Sequence, residues 1–323
     1  MKIIEILSIV IFCFISTFIF GQKQLPTKLK FHSLTVEDGL PNNVVNVIVQ
    51  DSLGYVWIGT NDGLCRYDGT KFKIFRESQK SGRSISNNYI QSLYIDKKGI
   101  LWIMTDQGLN KYDMTKDRFY HFLSSDSIKT ISHNSVTSMA ASADGTNFIG
   151  SYGVGIDVLK KDRFVENFSS LNPSLSSNLI SALQLQNDSI LWVGTYQNGI
   201  NRVDLKKRTV KQYDFGKEGI TGTGNIMGLY LDNYGVLWIS TNMGITVLDT
   251  KRNAHFSINK SNCESFSDDD VLSVFKDKDD VIWIYFHNGS GKTKFTTGFI
   301  EKKMKILATA RNWNTVLKIF SMM

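Results

Sequence analysis

One motif returns along this chain at an almost constant interval. YVWIGTNDGLCRYD runs from Tyr55 to Asp68, and the same register reads ILWIMTDQGLNKYD from Ile100, ILWVGTYQNGINRVD from Ile190, VLWISTNMGITVLD from Val236 and VIWIYFHNG from Val281. Its tryptophans are Trp57, Trp102, Trp192, Trp238 and Trp283. The gap of 90 between Trp102 and Trp192 is twice the usual step of 44 to 46, and TNFIGSYGVGIDVL sits at its midpoint with Phe148 in the tryptophan's place. Six copies at a period of about 45 residues restrict the fold to an array of like units that bury their apolar faces against one another.

The pattern inside a copy is that of strands. A short apolar segment such as NVVNVIVQD precedes a turn with glycine, and then comes the VWIGT-like run, where Val56, Ile58 and Thr60 point one way and Tyr55, Trp57 and Gly59 the other. That period of two belongs to a half-buried strand. Glycine follows at NDG, DQG, GVG, QNG and NMG, where a tight hairpin needs positive φ. A third strand (LCRYD, LNKYD, INRVD) and a fourth (FKIFRE, DRFYHF, DRFVENF) complete four antiparallel strands per copy. The expected fold is therefore an all-β β-propeller of about six four-stranded blades, or an incomplete ring of seven.

The repeat resembles the two-component regulator propeller repeat of the periplasmic sensor region of hybrid two-component systems in Bacteroidetes-type bacteria. The opening FHSLTVEDGLPNNVVNVIVQDSLGYVWIGTNDGLCRYDG, Phe31 to Gly69, is especially similar, and the likeness runs over roughly residues 29 to 289. The resemblance implies a sensor that recognises a breakdown product of a complex polysaccharide and passes occupancy to a histidine kinase, often as a homodimer. It also implies further repeats, another all-β domain, a membrane helix, kinase, receiver and DNA-binding domains, none of which follows residue 289 here. The chain is thus expected to be a piece of such a sensor, able to bind but not to signal, and linked to a membrane only through a missing segment.

The ends are different in kind. MKIIEILSIVIFCFISTFIFGQ has one lysine, an apolar run from Ile6 to Phe20 and a small residue at Gly21. Fifteen apolar residues are short for a span of about 20, so residues 1–21 are expected to be a signal peptide directing export to the periplasm, with a retained anchor as the alternative. The propeller is expected over 22–289. From Lys292 to Met323 seven Lys or Arg face Glu301 alone, a net of +6 out of +7 for the whole chain, so residues 290–323 form a basic tail. It reads either as a partly helical basic segment or as the product of a shifted reading frame. Without it the propeller is near neutral, which removes the case for nucleic-acid binding. Past the leader only Cys65 and Cys263 remain, far apart in a ring, and two unpaired thiols are expected.

Repetition argues structure, so function belongs to residues that break the repeat. The recurring aspartates before the turns (Asp51, Asp96, Asp144, Asp232, Asp277) are expected to accept backbone hydrogen bonds. The loops between second and third strands, and those leading into the next blade, open on one face. They carry Asn42, Asn43, Asn87, Asn88, Asn134 and Asn178, as turn formers or as ligands. Tyr152, Tyr196, Asp106, Gln107 and His133 vary most among equivalent positions and are the candidate ligand-binding residues. Amides and carboxylates beside aromatic faces suit a carbohydrate. No cofactor or metal is expected, since the five histidines lie at no ligand spacing. The acids Asp62, Asp106, Glu166 and Glu218 form no recognisable glycosidase pair. A protein-interaction scaffold on the same face, and less so a propeller lyase or glycosidase, stay open beside the sensor reading.

Overall fold

The computed structural model describes residues 34–78, 84–124, 131–172, 174–213, 225–263, 266, 268–276 and 282–286, with the backbone of 304–306 and 319–321. These form six four-stranded antiparallel sheets, each taken from consecutive strands. The first is Val45–Gln50, Val56–Thr60, Gly63–Tyr67 and Phe72–Phe75, and the second is Ile90–Ile95, Leu101–Thr105, Gly108–Asp113 and Arg118–Phe122. The third is Val136–Ala141, Thr146–Ser151, Gly155–Lys160 and Arg163–Phe168. Ile180–Gln186, Ile190–Thr195, Ile200–Asp204 and Thr209–Tyr213 make the fourth, and Ile226–Leu231, Val236–Thr241, Gly244–Asp249 and Ala254–Ile258 the fifth. First strands neighbour first strands from one sheet to the next, so they form the inner layer of a β-propeller.

The sixth sheet begins in the repeat with Val271–Lys276 and Ile282–Phe286 and is extended by two three-residue strands, Met304–Ile306 and Ile319–Ser321, from the segment beyond residue 290. Trp283 and Asp277 lie outside the residues whose side chains are described, as does His287.

The tryptophan positions supply the core between sheets. Trp57 and Leu64 of the first sheet pack with Ile85, Ile90 and Leu93 of the second, and Trp102, Met104 and Leu109 pack with Ile131, Val136 and Met139 of the third. Phe148 and Ile156 do the same toward Leu175, Ile180 and Leu183, confirming Phe148 as the missing member of the series. Second strands differ from the half-buried expectation. They are buried on both faces, for example Leu101 to Thr105 throughout, because each lies between two neighbouring sheets. The far face of the first sheet is another case. Leu40, Ile58 and Cys65 are buried there, but Ile48 and Ile74 in the same cross-strand row are about half exposed.

Glycine is required where backbones meet. A Cβ at Gly59 would lie 2.5 Å from Ile90 Cγ2 of the next sheet, and one at Gly155, where φ is +90°, would lie 2.0 Å from the Phe168 carbonyl. The hairpin glycines Gly63, Gly108 and Gly244 also have positive φ, as their sequence places require.

At the turns between first and second strands, Asp51 Oδ1 accepts from the backbone N–H groups of Leu53 and Tyr55, while its Oδ2 accepts from the indole of Trp57 at 2.8 Å. Asp96 repeats this with Lys98, Ile100 and Trp102, and Asp232 makes the two backbone bonds. In the third sheet Ser142 stands at that position, with its N–H bonded to the Thr146 carbonyl as Asp51 bonds Tyr55. Asp144 is two residues further on and so is not the clasping member of the series, but as expected it accepts a backbone bond in its turn, from the Thr146 N–H at 3.0 Å. Phe148 has no indole N–H, and the clasping carboxylate is absent along with it. Cys65 and Cys263 are both buried and unpaired, as expected.

Candidate functional site

The opposite end of the sheets is built by hairpins that lock onto their neighbours. Thr60, Thr105, Thr195 and Thr241 each donate from Oγ1 to the carbonyl of the hairpin glycine at 2.8 to 2.9 Å. The glycine N–H then donates across to the lead-in turn of the next sheet, Gly63 to Asn88 O, Gly108 to Asn134 O and Gly155 to Asn178 O. From the first sheet to the fourth the rim is therefore one hydrogen-bonded band rather than separate loops.

Most of the amides on this band are committed to it. Asn42 and Asn87 accept through Oδ1 from the N–H two residues on, and His133 does the same through Nδ1, from Ser135 at 3.1 Å. Asn43, Asn88, Asn134 and Asn178 accept from Val36, Glu77, Ser124 and Ser170, tying each lead-in turn to the preceding outer segment. These asparagines are turn formers. His133 keeps only its Nε2 side for any other partner.

The band's variable side chains stand one step beyond the paired strands. Because Ile90 pairs with Thr105, the next pair outward is Tyr89 with Asp106. In the third sheet it is Ser135 with Tyr152, whose backbone N–H bonds the Ser135 carbonyl, and in the fourth Leu179 with Tyr196, bonded likewise at 3.0 Å. The first sheet has Val44 with Asn61 and the fifth Asn225 with Asn242 at these places. Tyr152 and Tyr196 meet edge to face with ring centroids 5.5 Å apart. Tyr89 and Tyr152 are 40% and 50% exposed, so both rings offer a face to solvent. Burial first, and then the nearness of Tyr152 and Tyr89, push the Tyr196 phenol above its ordinary pKa, so it stays a neutral donor.

Beneath this layer each inner strand carries a β-bulge. The intervening residues are Asn46, Gln91, Thr137, Ser181, Met227 and Leu272. A bulge re-aims one side chain. Asn46 donates to the Ile90 carbonyl of the next sheet at 2.9 Å and Thr137 to the Ile180 carbonyl at 2.7 Å, stitching inner strands together. Asn46 also donates to Asn61 Oδ1 at 2.8 Å, and Gln91 makes the equivalent contact, donating from Nε2 to Asp106 Oδ1 at 2.5 Å. Asp106 and Gln107 are exposed at the hairpin tip, and only the backbone of Gln107 has a described bond, to Thr105 Oγ1.

The five residues singled out on sequence therefore share one end of the fold, on the second to fourth sheets. Tyr152 and Tyr196 are in contact, Asp106 and Gln107 share a hairpin, and His133 serves its own turn. Sequence reasoning missed Tyr89 and Gln91. Both break the repeat, against Val44, Ser135 and Leu179 in one case and against Asn46, Thr137 and Ser181 in the other.

A cleft of about 240 Å³ lies at the turn end, between the second and third sheets, lined by Lys97, Lys98, Lys111, Asp144 and Asp162 among others. Lys111 pairs with Asp162 at 2.6 Å, Lys97 with Asp188 at 3.0 Å and Lys160 with Asp144 at 3.5 Å. Its charges are largely matched within the protein. Among the described residues no group of three or more His, Cys, Asp or Glu could hold a metal ion, and no helix is long and apolar enough to cross a membrane.

Residues 39–62 and 84–107 match the family described as two component regulator propeller. The histidine kinase P4 of Formosa agariphila is 37% identical over 86 residues, which is 27% of this chain and 6% of the kinase. The extracellular domain of the hybrid two component system BT3049 from B. thetaiotaomicron superposes with a TM-score of 0.68 at 25% identity, over 79% of this chain and 34% of that one. That of BT4673 from the same organism gives 0.64 at 27% identity, over 76% and 34%. The chain thus spans about a third of the length of these solved domains. Virginiamycin B lyase from Staphylococcus aureus gives 0.60 at 12% identity over 86% of this chain and 84% of that one, a likeness of fold alone.

Proposed function

Since this chain carries two-component regulator propeller repeats, we propose that it is the ligand-sensing propeller of a hybrid two-component sensor, exported to the periplasm behind an N-terminal signal peptide. Its ligand is an oligosaccharide released from a complex polysaccharide, bound at the rim of the second to fourth sheets. One observation carries this reading: the Tyr152–Tyr196 pair stands with exposed ring surface on a rim whose other loops are closed by their own hydrogen bonds. Sugar C–H faces stack on such rings, and Asp106, Gln107 and the free side of His133 supply polar contacts for hydroxyl groups. The chain recognises and does not catalyse. Occupancy is passed to a histidine kinase, with dimerisation as part of that relay.

The test is calorimetric titration of the chain with oligosaccharide fractions from a panel of complex polysaccharides, neutral and amine-bearing. A cognate fraction should lose at least about tenfold in affinity with Tyr152→Ala or Tyr196→Ala, the equivalent of about 1.4 kcal/mol. Unchanged affinity in both variants would remove the ligand from this rim. If no glycan binds while a protein partner is retained by the same face, the scaffold reading takes its place.

A further inference from the structure

The rim has a polarity that a neutral sugar does not use. Its second-to-fourth-sheet arc offers three tyrosines on adjacent sheets, Tyr89, Tyr152 and Tyr196, and one charged side chain, Asp106, which register places directly across from Tyr89. Asp106 is exposed, and among the described residues no Lys or Arg pairs with it. Nearby Arg76 is held by Asp62 at 2.9 Å. Gln91 holds one carboxylate oxygen, and no described group bonds the other. Among the described residues the hairpins and lead-in turns of the second to fourth sheets carry no Lys or Arg, whereas Lys97, Lys98, Lys111 and Lys160 gather at the turn end. Aromatic faces and an uncompensated carboxylate are the two elements that hold a desolvated ammonium group, by cation–π attraction and by a charge-assisted hydrogen bond.

We propose that the ligand recognised at this rim bears a protonated amine, as in an amino sugar, with Asp106 as the ion-pairing residue, Gln91 as the residue positioning it, and Tyr89 as a third aromatic wall beside Tyr152 and Tyr196. This rests on the rim being the ligand site, as proposed above, and narrows the class of ligand. Gln91 is a positioning residue because its amide meets Asp106 and not the ligand. A ligand carrying carboxylate or sulfate groups would meet repulsion from Asp106 and is disfavoured on the same geometry.

The experiment compares two probes on the full chain at mildly acidic pH, where a sugar amine is protonated and a carboxylate ionised. One probe is a pentamer of glucosamine with free amines, and the other is the same pentamer fully N-acetylated. The free-amine pentamer should bind at least about tenfold more tightly, and the preference should shrink as salt rises. Asp106→Asn should abolish the preference with an unchanged melting temperature, Gln91→Ala should reduce it, and Tyr89→Ala should weaken the amine form more than the acetylated one. Equal binding of the two pentamers, no binding of the free-amine form, or a preference that survives Asp106→Asn would each overturn the proposal. If a neutral oligosaccharide still binds and depends on Tyr152, the rim remains the ligand site and only the amine assignment fails.

Discussion

The two ends of the sheets follow opposite rules. At the turn end the same side chains do the same work in successive sheets, as when Asp51 clasps Trp57 and Asp96 clasps Trp102. At the rim the backbone bonds repeat while the side chains standing on them do not. The hairpin of the second sheet ends in Asp106 and Gln107, and those of the third and fourth begin with Tyr152 and Tyr196. Regular positions therefore hold the sheets together, and irregular ones face whatever the protein meets. The difference can be broken most violently at Trp57, which is fully buried in the core between the first two sheets. Trp57→Ala should cost about 3–5 kcal/mol in chemical denaturation. Tyr152→Ala, on an exposed ring, should cost less than about 1 kcal/mol while removing binding. A comparable loss of stability at both positions would abolish the distinction.

The clasp itself varies in an informative way. In the third sheet Phe148 has no N–H to donate, and Ser142 stands where the carboxylate would be. In the fourth, Gln186 Oε1 accepts from Trp192 at 2.8 Å, so an amide replaces the carboxylate. In the fifth, Asp232 holds its turn, yet Trp238 Nε1 is buried with no hydrogen-bond partner. The acceptor is present only where there is a donor, though in the fifth sheet the two do not bond. Asp51→Ala should therefore destabilise by about 1–3 kcal/mol, since it leaves the buried indole N–H and two turn N–H groups without their acceptor. In a Trp57→Phe background the same substitution should cost measurably less, because one of its three donors is gone. Additive losses in this double-mutant cycle would show that the indole bond contributes nothing.

The period, the strand order within a copy, the hairpin glycines and the standing of Phe148 were all legible, because each follows from spacing alone. What could not be read was register at the bulges. One extra residue in each inner strand decides that Tyr89 faces Asp106 and that Gln91 reaches it, and a period of about 45 carries no sign of where that residue falls. Asp144 misled for a related reason: an aspartate next to a turn glycine resembles the clasp, but the clasping position is three residues before the glycine, where Ser142 lies. The tyrosine pair was accessible on sequence because both residues directly follow the strand end of their own copy.

A pairing on the first sheet was likewise hidden until register was known. In the second to fourth sheets a serine N–H of the lead-in turn donates to a buried polar residue of the third strand: Ser86 to Asn110, Ser132 to Asp157, Ser176 to Asn201. The first sheet has Pro41, which has no N–H, and Cys65, which has no comparable acceptor. Donor and acceptor are absent together. Cys65→Asn should then cost about 1–3 kcal/mol by burying an amide without its partner. Adding Pro41→Ser should recover part of it, and thermal melts of the single and double variants would show whether it does.

The smallest effect expected is a pH slope from that same thiol. Burial pushes Cys65 up to about 12, whereas an unfolded cysteine titrates near about 8.5. At neutral pH both states hold the proton, so the group adds no pH dependence. Between those two values the unfolded chain releases a proton that the folded chain keeps. The unfolded state then binds fewer protons, and stability falls as pH rises. Urea unfolding of the native chain and of Cys65→Val, followed from neutral to mildly alkaline pH, should give curves that part only on the alkaline side, with the native chain declining more steeply. Parallel curves would mean that Cys65 is accessible to solvent in the fold. The open row it shares with half-exposed Ile48 and Ile74 would then admit water as far as the third strand, unlike the tryptophan-filled cores between the other sheets.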